Sequence, residues 1–174
     1  MPQMFLQGEP ILNMTKTLRP TVALGVPTVW NDVLRAGAAD PSADLSSLRG
    51  ILCGGAAVPR SMIEAFRDRY NVEVVQGWGM TETSPLAAVS IPPFGSDPTH
   101  EVDYRVKAGR IVAGVQIRIV AEDGTELARD GKSIGEFEIA GPWITGSYYG
   151  VDAPEKFHDG WLKTGDLGIL DAEG

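Results

Sequence analysis

Three short apolar runs lie within residues 21–79, which read TVALGVPTVWNDVLRAGAADPSADLSSLRGILCGGAAVPRSMIEAFRDRYNVEVVQGWG. Each run is β-prone and is followed by glycine or proline, and the segments between the runs carry apolar residues at spacings of three and four. Strand and helix in alternation, with short connections, predict a parallel βαβαβ unit. The runs are residues 21–24, 49–53 and 73–76, and the helices between them begin near Pro27 and Pro59.

Two glycine-containing loops follow the second and third apolar runs, at residues 54–57 and 77–82. In open parallel sheets, ligands bind beyond the carboxyl ends of the strands. We therefore expect the two loops to converge on one ligand.

The hydrophobic period changes to two after a proline-rich stretch. Residues 115–119 and 136–139 alternate apolar and polar side chains, with a turn at Asp123 and Gly124 between them. This predicts antiparallel β-structure, part of a small barrel or sheet, in which Glu136 and Glu138 are solvent-exposed. The fold class is therefore α/β, with an α/β subdomain over residues 1–92, a linker loop over 93–109 and a β-rich subdomain over 110–174.

Composition excludes several function classes. The 174 residues carry 15 Lys and Arg against 23 Asp and Glu, a net charge of −8, which argues against a nucleic-acid partner or a polybasic membrane anchor. The single cysteine, Cys53, excludes an internal disulfide and fits a reducing compartment. No apolar run is long enough for a membrane span, and the first ten residues lack a signal-peptide pattern. We therefore expect a cytoplasmic location.

Several common catalytic patterns are absent from the sequence. It contains no G-x-x-x-x-G-K-[ST] loop, no H-E-x-x-H and no paired cysteines. His100 and His158 lie far apart along the chain and give little support to a serine–histidine–aspartate triad.

The candidates for chemistry lie in residues 76–85, QGWGMTETSP. Glycines let the backbone approach a ligand, and Trp78 offers a flat face for an adenine. Thr81 offers a hydroxyl to a phosphate, and Glu82 offers a hard oxygen suited to Mg²⁺. The same spacing fits a tight turn with a packed tryptophan and a helix-capping threonine, and Asp166 by itself fits a turn. The residues alone leave both interpretations open.

Five segments lie in a fixed order along the chain: residues 25–30 (GVPTVW), 53–59 (CGGAAVP), 76–85, 135–141 (GEFEIAG) with 146–149 (GSYY), and 161–168 (WLKTGDLG). Together they resemble motifs of adenylate-forming enzymes, which include acyl-CoA synthetases, luciferases and peptide-synthetase adenylation modules. Within that superfamily, residues 141–150 (GPWITGSYYG) and Trp78 are most similar to medium- and long-chain fatty-acyl-CoA synthetases.

The resemblance implies a fragment of the large N-terminal domain of such an enzyme. The full-length protein would be an ATP-dependent acid–thiol ligase of fatty acid metabolism. It would activate a medium- or long-chain fatty acid as acyl-AMP and transfer the acyl group to coenzyme A, with ATP/AMP and Mg²⁺ bound. The resemblance also admits a homodimer of the full-length protein. The fragment alone is expected to be inactive, because the phosphate-gripping loop and the catalytic lysine would lie outside it.

The resemblance also implies residue roles. Thr81 would contact the α-phosphate, Glu82 would hold Mg²⁺, and Asp166 would accept both ribose hydroxyls in charge-assisted hydrogen bonds. Thr81 and Glu82 are thus the expected catalytic residues, and Gly77 would also border the acyl group. The residues expected around the adenine are Gly54, Gly55, Ala56, Gln76, Gly77 and Trp78.

Two other functions remain open on the sequence. One is another adenylate-forming ligase, for aryl, short-chain or amino acids. The other is a non-catalytic domain that keeps the nucleotide pocket for binding or interaction.

Overall fold

The computed structural model describes residues 6–174, apart from the side chain of Pro98. The expectation of no signal peptide and the start of the expected 1–92 subdomain fall partly on residues 1–5, outside the described residues. The chain forms two compact units that interleave along the sequence. One contains the described residues through Trp78 together with Val89–Gly109, and the other contains Gly79–Ala88 and Arg110–Gly174. Residues 79–88 thus group with the β-rich half of the chain.

The first unit has the parallel sheet and covering helices that the sequence predicts. Its strands pair in parallel, with Ala23 opposite Ile51 and Ile51 opposite Val74. The strands are β1 (Val22–Gly25), β2 (Gly50–Gly54) and β3 (Glu73–Trp78), and the helices are α1 (Gly8–Leu18), α2 (Pro27–Ala39) and α3 (Arg60–Tyr70).

Local sequence explains where these helices begin and end. Pro27 occupies the first turn of α2, where its fixed φ suits the helix and its missing N–H is not needed. Asn71 ends α3 in the left-handed conformation (φ 53°) and donates its N–H to the carbonyl of Arg67 at 2.9 Å. None of the helices in residues 6–174 is long and apolar enough to cross a bilayer.

The stretch expected to be a linker, residues 93–109, contains the short helix α4 (Glu101–Arg105). Its last residue, Arg105, is buried, and the guanidinium lies 2.7 Å from Glu101 and 2.8 Å from Glu73 of β3. A buried charge is retained where it is paired. This ion-pair network therefore orders a stretch whose proline and glycine content is typical of a loop.

The second unit is the antiparallel sheet that the period-two pattern predicts, curled as a half-barrel. Its strands are β6 (Gln116–Val120), β7 (Ile134–Ala140), β8 (Phe157–His158) and β9 (Trp161–Ile169). They follow the order β6–β7–β9–β8, and Ile117 of β6 lies opposite Ile139 of β7. Two short strands outside this sheet precede them in the chain: β4 (Ala88–Val89), within which the unit boundary falls, and β5 (Arg110–Ile111).

The expectation that Glu138 is exposed is wrong. Its side chain is 1 % exposed and lies 2.6 Å from Arg118 and 3.1 Å from Nε2 of His158. The Arg118 guanidinium in turn stacks on the ring of Trp161, 4.4 Å from its centroid. Both faces of the strand are covered at this position. The side chain that alternates with the apolar residues is therefore buried as well.

The core of the first unit generates a stability prediction. Phe66 is fully buried and meets Trp30 edge-on, with ring centroids 5.9 Å apart at 84°. We expect Phe66→Ala to lower the free energy of unfolding by about 3–5 kcal/mol, because it removes buried surface and leaves a cavity. Phe94→Ala is the matched control, since Phe94 is exposed, and it should change stability by less than about 0.5 kcal/mol. Equilibrium urea unfolding followed by circular dichroism measures both, and equal effects would contradict this core assignment.

Candidate functional site

The expected adenine-side glycines lie at the adjacent ends of β2 and β3. Gly54 is opposite Gly77 in the sheet, and a Cβ built on Gly54 would lie 2.9 Å from the carbonyl oxygen of Gly77. Gly55 follows with φ 82°, a conformation that favours glycine. Gly55 and Ala56 are exposed. The structure therefore brings these four residues together at one edge of the sheet, with backbone available to a ligand.

Gln76 has its side chain inside the protein. Its Oε1 accepts the N–H of Val58 at 2.6 Å, and its Nε2 donates to the carbonyl of Lys107 at 3.1 Å. Gln76 thus fixes the loop that carries Gly55 and Ala56, and a direct contact with the nucleotide stays a prediction. Trp78 is half-buried at the end of β3.

In the second unit, a turn closed by Thr83 exposes the other two motif residues. Thr83 is fully buried, and its Oγ1 accepts the N–H of Met80 at 2.9 Å. The same hydroxyl lies 2.5 Å from the carbonyl of Pro85. Thr81 is exposed and Glu82 is half-buried. A capping threonine is therefore present, as the turn interpretation requires, but it is Thr83, a residue that the sequence analysis did not single out.

Glu82 is held by a tyrosine from a distant part of the chain. The hydroxyl of Tyr148 donates to Oε1 of Glu82 at 2.6 Å, and the Tyr148 ring packs edge-on against Phe157 at 5.1 Å. This hydrogen bond, with a smaller contribution from the charge of Lys156, lowers the pKa of Glu82 below its ordinary value of 4.5. The same bond raises the pKa of Tyr148. The sequence motif contained Tyr148, but nothing in the spacing indicated its partner.

Asp166 lies within strand β9, not in a turn between elements. The pairing of β7 with β9 has an irregularity between Glu136 and Glu138, and Gly165 at that point has φ 80°. The N–H of Gly165 donates to Oε1 of Glu136 at 2.9 Å, and the N–H of Asp166 donates to Oγ1 of Thr164 at 3.1 Å. Such a bulge re-aims a side chain at the sheet surface, and Asp166 is exposed.

The predicted residues thus fall into two groups. The expected adenine-side residues belong to the first unit, whereas Thr81, Glu82 and Asp166 belong to the second. Within the described part of the chain, no group of three His, Cys, Asp or Glu side chains forms a metal site. Mg²⁺ at nucleotides commonly uses one or two carboxylates with phosphates and waters, and an ionised, half-buried Glu82 fits that donor set.

A cavity of about 240 Å³ in the second unit is lined by residues between Gly141 and Trp161. None of the predicted site residues contributes to its lining. The candidate nucleotide contacts of this unit therefore lie outside this cavity.

Known proteins match nearly the whole chain. A family profile described as "AMP-binding enzyme" matches residues 2–149. A 3-methylmercaptopropionyl-CoA ligase of Ruegeria lacuscaerulensis is 40% identical over 97% of this chain and 32% of the relative. A medium-chain-fatty-acid–CoA ligase of Ectopseudomonas oleovorans is 36% identical over 97% of this chain and 31% of the relative. The chain therefore spans about a third of the length of these curated relatives.

The fold also matches solved structures of adenylate-forming enzymes. The crystal structure of the anthranilate CoA ligase AuaEII in complex with anthranoyl-AMP has a TM-score of 0.83 and 23% identity, covering 100% of this chain and 32% of that chain. This likeness shows a shared fold.

The hydrogen bond between Tyr148 and Glu82 generates a prediction about proton binding. Because the bond stabilises the charged carboxylate, Tyr148→Phe should raise the pKa of Glu82 towards 4.5. A carboxyl group whose pKa is lowered in the folded state stabilises the fold at pH values above its ordinary pKa. That contribution to the free energy of unfolding is lost as the pH falls through the lowered pKa. Carboxyl ¹³C shifts followed by NMR across a pH titration measure the change. Tyr149→Phe is the matched control, since Tyr149 is fully exposed; an unchanged Glu82 titration in Tyr148→Phe would refute the assignment.

Proposed function

The chain belongs to the AMP-binding enzyme family, and from that membership we propose that the protein containing it is an ATP-dependent acid–CoA ligase. Its curated relatives named above are CoA ligases. The observation that carries the proposal is the turn closed by Thr83, which leaves Thr81 and an ionised Glu82 accessible in the same unit as Asp166.

The proposed reaction has two steps. A carboxylate oxygen of the acid attacks the α-phosphorus of ATP, the bond to the β-phosphate bridge breaks, and pyrophosphate leaves behind an acyl-AMP. The thiolate of coenzyme A then attacks the acyl carbon, a thioester forms and AMP departs. Both steps require the adenylate to be held in a fixed orientation relative to the attacking atom.

The residues of this chain hold the adenylate in this proposal. Thr81 donates its hydroxyl to the α-phosphate, and Asp166 accepts the ribose hydroxyls in charge-assisted hydrogen bonds. These roles are supported by the exposure of both side chains. The backbone that presents Asp166 is fixed, because its N–H is bound to Thr164. The adenine would lie along the Gly54, Gly55 and Ala56 backbone on one face, with Trp78 on the other and Gln76 and Gly77 nearby.

Glu82 is the proposed Mg²⁺ ligand. When bound, Mg²⁺ would neutralise charge on the departing pyrophosphate. The support for Glu82 is its lowered pKa, because a carboxylate must be ionised to ligate a metal. The bond from Tyr148 engages Oε1 and fixes the orientation of the carboxylate.

The proposed acid is a medium- or long-chain fatty acid. Support comes from the 141–150 segment, GPWITGSYYG, and from the 36% identical medium-chain ligase. A second candidate is a short thioether acid, favoured by the 40% identity to the 3-methylmercaptopropionyl-CoA ligase.

A cytoplasmic location and a role in fatty acid metabolism complete the proposal, and a homodimer of the full-length protein remains a further expectation. The location is supported by the single cysteine, Cys53, which has no partner within the sequence for a disulfide. Burial raises the pKa of the Cys53 thiol to about 11, so this side chain behaves as a small apolar group.

Exchange of labelled pyrophosphate into ATP by the full-length protein tests the chemistry. We expect Glu82→Gln to lower the exchange rate by about 10²-fold or more, because it removes the carboxylate charge proposed to hold Mg²⁺ at the phosphates. Asp166→Asn should lower it by about 10- to 100-fold through the lost ribose bonds. The isolated 174 residues should not support exchange.

The matched controls for exchange are Glu122→Gln and Asp68→Asn, both exposed and outside the predicted site. Each should leave the rate within about twofold of wild type. Unchanged rates in Glu82→Gln and Asp166→Asn would refute the site. Absence of exchange by the full-length protein would favour a non-catalytic nucleotide-binding domain.

Acyl-CoA formation across a panel of acids tests the substrate. With octanoate, palmitate, 3-methylmercaptopropionate and benzoate, we expect kcat/KM for a fatty acid to exceed that for the thioether acid by about tenfold or more. Each additional buried methylene contributes about 0.8 kcal/mol. A preference for 3-methylmercaptopropionate or benzoate would overturn the fatty-acid assignment and leave the adenylation chemistry intact.

A further inference from the structure

The three residues expected at the phosphate and ribose of the nucleotide carry a charge imbalance. Glu82 and Asp166 each bring a negative charge, and Thr81 brings none. A nucleotide phosphate is itself an anion, and like charges close together repel. AMP, the proposed product, brings its phosphate into a site that already holds two carboxylates. In the absence of Mg²⁺, a positive side chain on the phosphate side would reduce this repulsion.

Lys156 is positioned to supply that positive group. Its side chain reaches the bulge that carries Asp166: the Nζ lies 3.7 Å from the position that a Cβ on Gly165 would occupy. The next residue, Phe157, packs edge-on against the ring of Tyr148 at 5.1 Å, and the hydroxyl of Tyr148 donates to Glu82. Lys156 thus lies beside the bulge that carries Asp166 and next to the ring contact that supports the partner of Glu82.

The backbone fixes Lys156 at this place. Its N–H donates to the carbonyl of Ala153 at 2.9 Å, and its carbonyl accepts the N–H of Lys163 at 2.8 Å. Lys163 belongs to β9, the strand that carries Asp166. Lys156 is half-buried, so its aliphatic stem lies along the protein while the ammonium group can reach a ligand.

We propose that Lys156 binds the α-phosphate of the nucleotide, as a nucleotide-binding residue that none of the sequence motifs includes. The proposal rests on the proposed function, because it requires a nucleotide to be bound at the site that contains Glu82 and Asp166. The ammonium group donates a charge-assisted hydrogen bond to a phosphate oxygen and offsets the two carboxylates. The ligand class is therefore a nucleoside monophosphate or acyl-adenylate, and adenosine, which lacks phosphate, gains nothing from Lys156.

Isothermal titration calorimetry of the full-length protein with AMP and with adenosine tests this role. Lys156→Met should raise the Kd for AMP by about 10- to 100-fold, because a charge-assisted hydrogen bond is lost. The Kd for adenosine should change by less than about twofold. Lys156→Arg should retain most of the AMP affinity, since it keeps the charge. Lys156→Gln keeps a polar end group without the charge, on a side chain one atom shorter, and should behave as Lys156→Met does.

Lys132→Met is the matched control, because Lys132 is an exposed lysine of another loop, and it should leave both affinities unchanged. An unchanged AMP affinity in Lys156→Met and Lys156→Gln would overturn the proposal while the proposed function stands. Equal losses for AMP and adenosine would also overturn it, because they would indicate a structural role. A wild-type protein that binds no AMP would overturn the proposed function as well.

Discussion

The buried side chain of Gln76 holds together the strand ends on which the candidate site of the first unit depends. A buried amide must satisfy both its oxygen and its nitrogen, and Gln76 does so with the N–H of Val58 and the carbonyl of Lys107. Those two partners belong to loops that are far apart in sequence. Because one side chain ties both loops to β3, Gly55 and Ala56 can be exposed and still have a defined backbone. The second unit uses the same principle, since the buried hydroxyl of Thr83 closes the turn that exposes Thr81 and Glu82.

The sequence predicted the first unit well because its signals are local. Apolar runs that end at glycine or proline located the strands, and Pro27 marked the start of α2. The signals failed where distant partners decide the structure. Helix α4 depends on ion pairs of Arg105 with Glu101 and Glu73, and Glu138 is buried because Arg118 and His158 cover it. Neither fact can be obtained from a period of two or from a count of prolines.

The candidate site shows the same division. The residue types and spacing of QGWGMTETSP allowed both a packed turn and a nucleotide loop, and it was the resemblance that assigned roles to Thr81, Glu82 and Asp166. The structure adds what no single motif shows, namely which residues of separate motifs contact one another. Tyr148 contacts Glu82 across 66 positions of sequence, and Glu136 fixes the bulge that carries Asp166. Such pairings arise from the topology of the half-barrel, which brings separate strands and loops to the same place.

The short turn that carries Tyr148 also limits how this protein can diverge. Tyr148 and Val151 form a β-bridge, and the N–H of Thr145 donates to the carbonyl of Glu82 at 2.8 Å, so the phenol is tethered on both sides. An inserted residue between 145 and 151 would carry the hydroxyl away from the carboxylate. The hairpin turn at Gly124, by contrast, is exposed and has open space around it. Length variation among descendants of this chain should therefore accumulate at that hairpin, while the tyrosine turn keeps its length.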